Sequence, residues 1–181
     1  RIYDGTTFDV SAQAGGWPLQ AAQALEGNGV VQGSVVAAAN SVLRPNVGAT
    51  VNTAGTLTIN GDLVLNGTTN FFNLSSDPSG VMSPSDVIQV NGNLSVAGLN
   101  TIWLENYVDG YIPNGTYQLI KFTGSLTGDA RNFAATNSTI GVRGVQGGYI
   151  VANTGSIDLV VTGTPPAFLT WTGDGAGNNW D

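Results

Sequence analysis

Residues 57–65 read LTINGDLVL, and the parity of their apolar side chains decides the fold. An Asn-Gly pair between apolar runs is the usual signature of a two-residue β-hairpin. In such a hairpin Thr58 would pair with Leu63, so the apolar side chains of the two arms would lie on opposite faces. If the chain runs on, alternate residues from 57 to 65 all point to one side, and Gly61 marks a bend or the close approach of a neighbouring backbone. The pattern therefore favours a continuous strand with a corner.

The same pattern, apolar-x-Gly-x-apolar, occurs four times at nearly constant spacing. Its central glycines are Gly33, Gly61, Gly92 and Gly124. The Asn-Gly pair at 91–92 shows the same parity as the pair at 60–61. Self-similarity at a period of about 30 residues predicts a solenoid, in which each rung is stabilised by the rungs above and below. We interpret the four glycines as equivalent positions of successive rungs.

Stacking of the rungs predicts two columns of side chains. Parallel strands of neighbouring rungs lie about 4.8 Å apart, so equivalent residues come directly above one another. The expected polar ladder beside the glycines consists of Gln32, Asn60, Asn91 and Thr123. The expected inner apolar column consists of Val35, Leu63, Leu94 and Leu126. Because the period is longer than a bare rung needs, we also expect loops, one of them at the turn signals of residues 77–80 and 83–86.

The composition excludes several function classes. Charged residues make up 9 % of the chain, with 5 basic and 12 acidic residues and a formal net charge of −7, which excludes a basic nucleic-acid footprint. Histidine and cysteine are absent, so the chain has no Ser-His or Cys-His nucleophile, disulfide, thiolate zinc site or iron–sulfur cluster. We expect no cofactor. Because no run of about 18 apolar residues occurs, we also expect no membrane span.

The expected fold is all-β, a β-solenoid wound about a narrow core. Val and Thr favour strands and Asn and Gly favour turns, while the chain has only two Glu and one Lys to support solvated helices. The solenoid module is expected over residues 1–164. A β-sandwich is the alternative, because many short strands with frequent turns also describe that fold.

Residues 165–181 are expected to form a Pro-Pro linker and a detached C-terminal strand. The strand comprises Phe168, Leu169, Thr170, Trp171 and Thr172. A solenoid has open ends with unpaired strand edges, which invite pairing with another chain. One hypothesis is that this strand pairs with a neighbouring subunit to build a fibre; the alternative is a loose tail, since chain termini commonly fray.

Several stretches from about residue 20 onward resemble the autotransporter-associated β-strand repeat family of bacterial surface and secreted proteins. They are residues 25–35 (LEGNGVVQGSV), 43–45 (LRP), 55–63 (GTLTINGDL), 86–92 (DVIQVNG), 115–120 (GTYQLI), 157–161 (IDLVV), 169–174 (LTWTGD) and 178–181 (NNWD). One departure is Pro45-Asn46, where the family usually has Pro-Gly. The resemblance implies a right-handed parallel β-helix, an extracellular location and a structural or adhesive role, and it offers no catalytic residues.

Candidate catalytic and metal-binding groups are few. Glu105 and Asp109 are close in sequence, but their position before Gly110 is typical of solvated turn residues rather than a glycosidase pair. Arg131 and Arg143 have only Asp129 as a nearby acidic residue, unlike the Asp clusters of pectin-degrading β-helix enzymes. Residues 174–181 alternate oxygen ligands with glycine but lack the acidic spacing of a calcium loop. The four tryptophans could stack on sugars, although core or interface packing is the simpler interpretation.

The sequence thus predicts a structural module, not an enzyme, of an extracellular or cell-surface bacterial fibre, matrix or adhesin stalk. Self-association into oligomers or filaments is expected, by end-to-end or strand-exchange contacts. The first alternative is a carbohydrate-binding adhesin module that recognises cell-surface glycans. The second is a polysaccharide-degrading β-helix enzyme.

Overall fold

The computed structural model describes residues 1–46, 54–75, 77–80, 84–105, 112–136 and 147–164. These ranges contain seventeen β-strands and one short 3-10 helix, Ala130–Asn132. The predicted C-terminal strand, with Phe168 and Trp171, lies outside the described residues.

Fifteen of the strands form five rungs of three strands each. The first two rungs are β1 (Thr7–Asp9), β2 (Trp17–Leu19) and β3 (Ala24–Glu26), then β4 (Val30–Gln32), β5 (Val35–Ala37) and β6 (Val42–Arg44). The third and fourth are β7 (Thr56–Asn60), β8 (Leu63–Asn66) and β9 (Thr69–Asn73), then β10 (Val87–Val90), β11 (Leu94–Ala97) and β12 (Asn100–Glu105). The fifth is β13 (Gly115–Phe122), β14 (Leu126–Thr127) and β15 (Phe133–Thr136).

The rungs stack into three parallel sheets. Sheet 1 contains β1, β4, β7, β10 and β13, sheet 2 contains β2, β5, β8, β11 and β14, and sheet 3 contains β3, β6, β9, β12 and β15. Every pairing between successive rungs is parallel and direct, as in Val31↔Ile59 and Leu63↔Leu94. A β-sandwich is built from antiparallel sheets, so this alternative is wrong and the predicted all-β solenoid is confirmed.

The solenoid continues into an antiparallel hairpin on sheet 1. The strand β16 (Gly147–Asn153) pairs with β17 (Ser156–Thr162), and β17 pairs antiparallel with β13. The two-residue turn is Thr154–Gly155, where Gly155 has a φ of 84°, a conformation that glycine adopts without a steric cost. A tight hairpin is therefore present in the chain, but at this pair and not at the Asn-Gly pairs.

The core is a set of columns that run along the axis of the solenoid. Leu57, Ile59, Leu63 and Leu65 are all fully buried, which confirms that residues on both sides of Gly61 share one parity. The predicted inner column is also confirmed: Val35, Leu63 and Leu94 are fully buried in direct register, and Leu126 packs against the core at the last rung. Burying one such side chain stabilises the fold by about 1.5–3 kcal/mol.

The first rung was not predicted, because it lacks the glycine pattern. Its strands β1 and β2 are joined by residues 10–16 instead of a two-residue corner. Two of its inward side chains are aromatic: Phe8 pairs with Val31, Trp17 pairs with Val35, and the two rings make an edge-to-face contact at 5.1 Å between centroids. These rings cover the end of the apolar columns.

The first turn of the loop expected after the third rung is present at residues 77–80, whereas residue 83 of the second turn signal lies outside the described residues. Gly80 N–H donates to the carbonyl of Asp77 at 3.1 Å, and the Asp77 carboxylate accepts from both the backbone and the hydroxyl of Ser79. This turn lies between β9 and β10, where it accounts for part of the long step between rungs. In the part of the chain that the structure describes, no helix is long and apolar enough to cross a membrane.

Candidate functional site

The corner between sheets 1 and 2, here called corner 1, holds the four repeat glycines in one column. A Cβ atom built on Gly61 would lie 2.6 Å from the carbonyl carbon of Gly33, and one built on Gly92 would lie 2.6 Å from that of Gly61. Gly124 N–H donates to the carbonyl of Gly92 at 2.8 Å. The glycines therefore mark both a corner and a close approach of backbones, as the parity argument predicts.

Two ladders of polar side chains flank the glycine column. In the predicted ladder, Asn60 donates its amide N–H to Gln32 at 3.0 Å, and Asn91 donates to Asn60 at 2.8 Å. Thr123 extends the column through its backbone N–H, which donates to the carbonyl of Val90. The ladder is thus confirmed over three rungs and continued by the backbone at the fourth.

The second ladder, on the other side of the glycines, was not predicted. Ser34 accepts from the backbone N–H of Asp62 at 3.0 Å, and Asp62 accepts from the backbone and side chain of Asn93 at 2.7 and 3.1 Å. Asn93 in turn accepts from the backbone and hydroxyl of Ser125, both at 2.9 Å. One carboxylate therefore serves as an acceptor between two rungs.

A third ladder lies inside the corner between sheets 2 and 3, here called corner 2. Asn100 is fully buried, and its side-chain oxygen accepts from the backbone N–H of Thr68 at 2.9 Å and from the Thr68 hydroxyl at 3.0 Å. The amide nitrogen of Asn100 donates to the carbonyls of Ala97 and Asn132. One side chain thus connects three successive rungs, because Thr68, Asn100 and Asn132 each belong to a different one.

Asp86 closes the corner between sheet 3 and the next strand of sheet 1. It is fully buried, and its two carboxylate oxygens accept from the backbone N–H groups of Gly55 at 2.7 Å and Asn73 at 2.8 Å. Burial raises the pKa of Asp86 from 3.8 to about 6, although the two backbone hydrogen bonds oppose the rise. The charge of Glu105 raises this pKa further, and that of Arg44 lowers it.

This raised pKa predicts that the fold loses stability as the pH rises from 3.8 through about 6. Between 3.8 and about 6 the folded protein holds the Asp86 proton more tightly than the unfolded chain does. The stabilisation is therefore complete below 3.8 and is lost as the pH passes about 6, and the shift corresponds to roughly 2–3 kcal/mol. Urea unfolding followed by circular dichroism across this pH range measures it.

The control for this prediction is Asp86→Asn, which removes the titrating group and retains one acceptor oxygen. Its unfolding free energy should be nearly independent of pH over the same interval. A wild-type curve that is flat or rises over this interval would contradict the prediction, as would a variant whose stability falls as steeply as that of the wild type.

The outer face of sheet 3 carries a line of charged and aromatic side chains, here called the sheet 3 strip: Glu26, Arg44, Phe71, Trp103 and Glu105. Glu26 pairs with Arg44 and Phe71 pairs with Trp103 in the strand register. The Arg44 guanidinium lies 4.2 Å from the centre of the Phe71 ring, and the Phe71 and Trp103 ring centres are 6.1 Å apart. Trp103 is 42 % exposed.

Arg44 forms ion pairs with both carboxylates of this strip. It lies 3.8 Å from a Glu26 oxygen and 3.4 Å from a Glu105 oxygen, and the other Glu26 oxygen pairs with Arg1 at 3.0 Å. Glu105 is therefore not a solvated turn residue, as the sequence suggested, but a partly buried ion-pair partner at the end of β12.

The structure does not place the other candidate catalytic or metal-binding residues, where they are described, next to Glu105. Asp109, Arg143 and residues 174–181 lie outside those residues. Arg131 forms a bidentate contact with Asp129, which caps the 3-10 helix and whose pKa is lowered mainly by this hydrogen bond. Among the described residues, no three acidic side chains are grouped so that they could hold a metal ion.

The strip could not be found from the sequence, because its members follow no constant spacing. Glu26 aligns with Arg44 and Phe71 aligns with Trp103, yet the first pair is much closer in sequence than the second. The one available signal was the presence of both glutamates of the chain near the ends of apolar runs. Only the lengths of the loops between rungs determine that these residues align.

No protein-family model matches the chain, and no curated protein or solved structure matches it either. The family resemblance of residues 25–35 and 55–63 therefore remains a prediction.

Proposed function

We propose that this chain is a structural, non-catalytic module of an extracellular bacterial fibre, matrix or adhesin stalk. The observation that carries the proposal is the unbroken stacking of five rungs in three registered sheets. Each rung is joined to the next by backbone hydrogen bonds, and side-chain ladders also join rungs two to five at corner 1 and rungs three to five at corner 2. Such a module extends a protein in one direction by repeating a single local interaction.

The surface suits this role. The ladder side chains are amides and hydroxyls, with Asp62 as the one carboxylate among them, so successive rungs do not repel each other. Backbone groups committed to rung-to-rung hydrogen bonds open rarely, which protects a chain outside the cell from proteases. The resemblance of several stretches to the autotransporter-associated repeats supports the same location and role.

We further propose that copies of this chain associate end to end or by strand exchange. In the described ranges, β1 to β3 at one end and β14 to β16 at the other each have one edge without a strand partner. Unpaired edges are templates for a further strand. The apolar segment from Phe168 to Thr172 is the proposed donor of that strand.

Sedimentation velocity and negative-stain microscopy over a concentration series test the proposal. Wild-type protein is expected to form particles whose length grows with concentration. The double variant Phe168→Asp, Trp171→Asp should shorten them, because a charged strand pairs poorly with an apolar edge. Leu99→Asp is the matched control, since Leu99 is 60 % exposed at corner 2 between β11 and β12, neither of which is an edge strand.

Single particles at every concentration would overturn the self-association. Particles that lengthen equally in the double variant would assign the contact to the end rungs instead of the tail. Catalytic turnover of a polysaccharide by the wild-type protein would overturn the structural role itself.

A further inference from the structure

The sheet 3 strip concentrates charge, beside an exposed aromatic side chain, on a protein that is otherwise poor in charged residues. Charged residues make up 9 % of the chain, yet both of its glutamates and two of its five basic residues meet on this one face. The neighbouring outward column on the same sheet is uncharged and includes Val42, Thr69 and Thr101, which align in register. The grouping calls for a chemical explanation beyond rung stacking.

The rings in the strip follow the axis of the solenoid. Phe71 and Trp103 lie on successive rungs, and their ring centres are 6.1 Å apart. Trp103 keeps 42 % of its surface exposed where the equivalent outward residue on the next rung is the small Thr136. An aromatic surface is thus left open beside polar side chains.

The polar groups beside these rings are held in place. Arg44 is fixed by Phe71 and two carboxylates, and Glu105, two residues beyond Trp103 on the same face of β12, is fixed by Arg44. Carboxylates and a guanidinium ion that are oriented in this way can accept from and donate to hydroxyl groups without losing further side-chain entropy. A flat apolar ring next to such groups matches a sugar, whose C–H face is apolar and whose rim carries hydroxyls.

We propose that the sheet 3 strip binds a neutral polysaccharide, with Trp103 as the stacking surface and Glu105 as a hydroxyl ligand. The charges favour a neutral chain, because Arg1 and Arg44 are balanced by Glu26 and Glu105 within the strip and the protein as a whole carries −7. Polyanions, including nucleic acids and acidic polysaccharides, are therefore repelled. This site adds adhesion to the structural role and does not depend on whether copies of the chain polymerise.

The test is affinity electrophoresis of the full chain in native gels cast with soluble dextran, xylan, mannan or β-glucan, with alginate as the anionic comparison. We expect retardation in at least one neutral gel. Trp103→Ala should weaken this binding about tenfold, the loss of roughly one aromatic contact. Phe8→Ala is the matched control, since Phe8 is 37 % exposed, close to the exposure of Trp103, and lies on β1 of sheet 1 in the first rung, and it should bind like the wild type.

Two further variants separate binding from folding. Trp103→Phe retains an aromatic face and should recover much of the affinity, whereas Glu105→Gln keeps the shape of the side chain and should weaken binding less than Trp103→Ala does. Urea midpoints of all variants establish that they are folded. Absence of retardation in every neutral gel, retardation that Trp103→Ala leaves unchanged, or stronger retardation in alginate would each overturn the proposal.

The experiment also distinguishes this site from the proposed assembly. Trp103→Ala should leave the lengths of particles in the microscope unchanged, because Trp103 lies on the outer face of an internal strand and not at an edge. Loss of both binding and particle length in this variant would mean that the strip is a contact between copies, which would overturn the carbohydrate site.

Discussion

Gly61→Ala is expected to lower the free energy of unfolding by about 3 kcal/mol, although it adds a single methyl group. That Cβ atom would lie 2.6 Å from the carbonyl carbon of Gly33, 2.7 Å from its oxygen and 2.7 Å from the nitrogen of Ser34. All three atoms belong to the backbone of the adjacent rung, so no side-chain rotation relieves the clash. The rungs must move apart at corner 1, which weakens the hydrogen bonds on both sides. Urea unfolding at a fixed pH measures the loss.

The matched control is Gly147→Ala. Gly147 has no heavy atom within 4 Å of an added Cβ and no positive φ, so this substitution should change stability by less than about 0.5 kcal/mol. Equal effects of the two substitutions would mean that glycine at corner 1 is used for flexibility and not for close approach. Close approach of the backbones would then not explain the column of glycines at corner 1.

The corner at Gly61 is the part of the fold that the sequence predicts best. The parity of Leu57, Ile59, Leu63 and Leu65 is a local property, because a hairpin and a continuing strand place these side chains on different faces. The repetition at Gly92 then specifies parallel stacking, since equivalent positions in successive rungs must lie above each other. The local apolar pattern and the repeat period together are sufficient to predict the parallel stacking of sheets 1 and 2.

Features that depend on the register between distant segments could not be predicted. The first rung has aromatic residues, Phe8 and Trp17, where the second rung has Val31 and Val35, because it covers the end of the core instead of stacking between two rungs. The hairpin of β16 and β17 reverses the direction of sheet 1 through an ordinary Thr-Gly turn. Likewise the contact of Arg44 with Glu105 joins residues 61 positions apart.

The three corners of the solenoid also use different chemical groups, a difference that the amino-acid composition does not reveal. Corner 1 uses glycine so that backbones can touch, corner 2 uses a buried amide, and the third corner uses the carboxylate of Asp86. An amide such as Asn100 both donates and accepts, so it can satisfy backbone groups of the rungs above and below at once. Asparagine in this chain therefore has two distinct roles: it forms exposed ladders at corner 1, and it joins rungs inside corner 2. The number of asparagines alone does not distinguish these roles.

Asn100→Ala is accordingly expected to cost about 4 kcal/mol, more than an exposed asparagine contributes. The substitution removes the acceptor of the buried Thr68 N–H and the donor to the carbonyls of Ala97 and Asn132. Each buried group left without a partner costs about 1–3 kcal/mol, and the loss is shared among three rungs. Thermal unfolding and the urea midpoint should both fall.

Asn66→Ala provides the comparison, because Asn66 is an exposed asparagine at the same corner one rung earlier. Its removal should change stability by less than about 0.5 kcal/mol. Asn100→Asp adds a second test, since a carboxylate keeps the acceptor for Thr68 but places negative charge against two carbonyl oxygens. Because the buried carboxylate is favoured when protonated, the loss of stability between about pH 5 and about pH 7 should be larger in this variant than the loss that Asp86 gives the wild type. If Asn100→Ala were as mild as Asn66→Ala, water would have to replace the amide inside corner 2, and the rungs would be held together by the backbone ladders and the apolar columns alone.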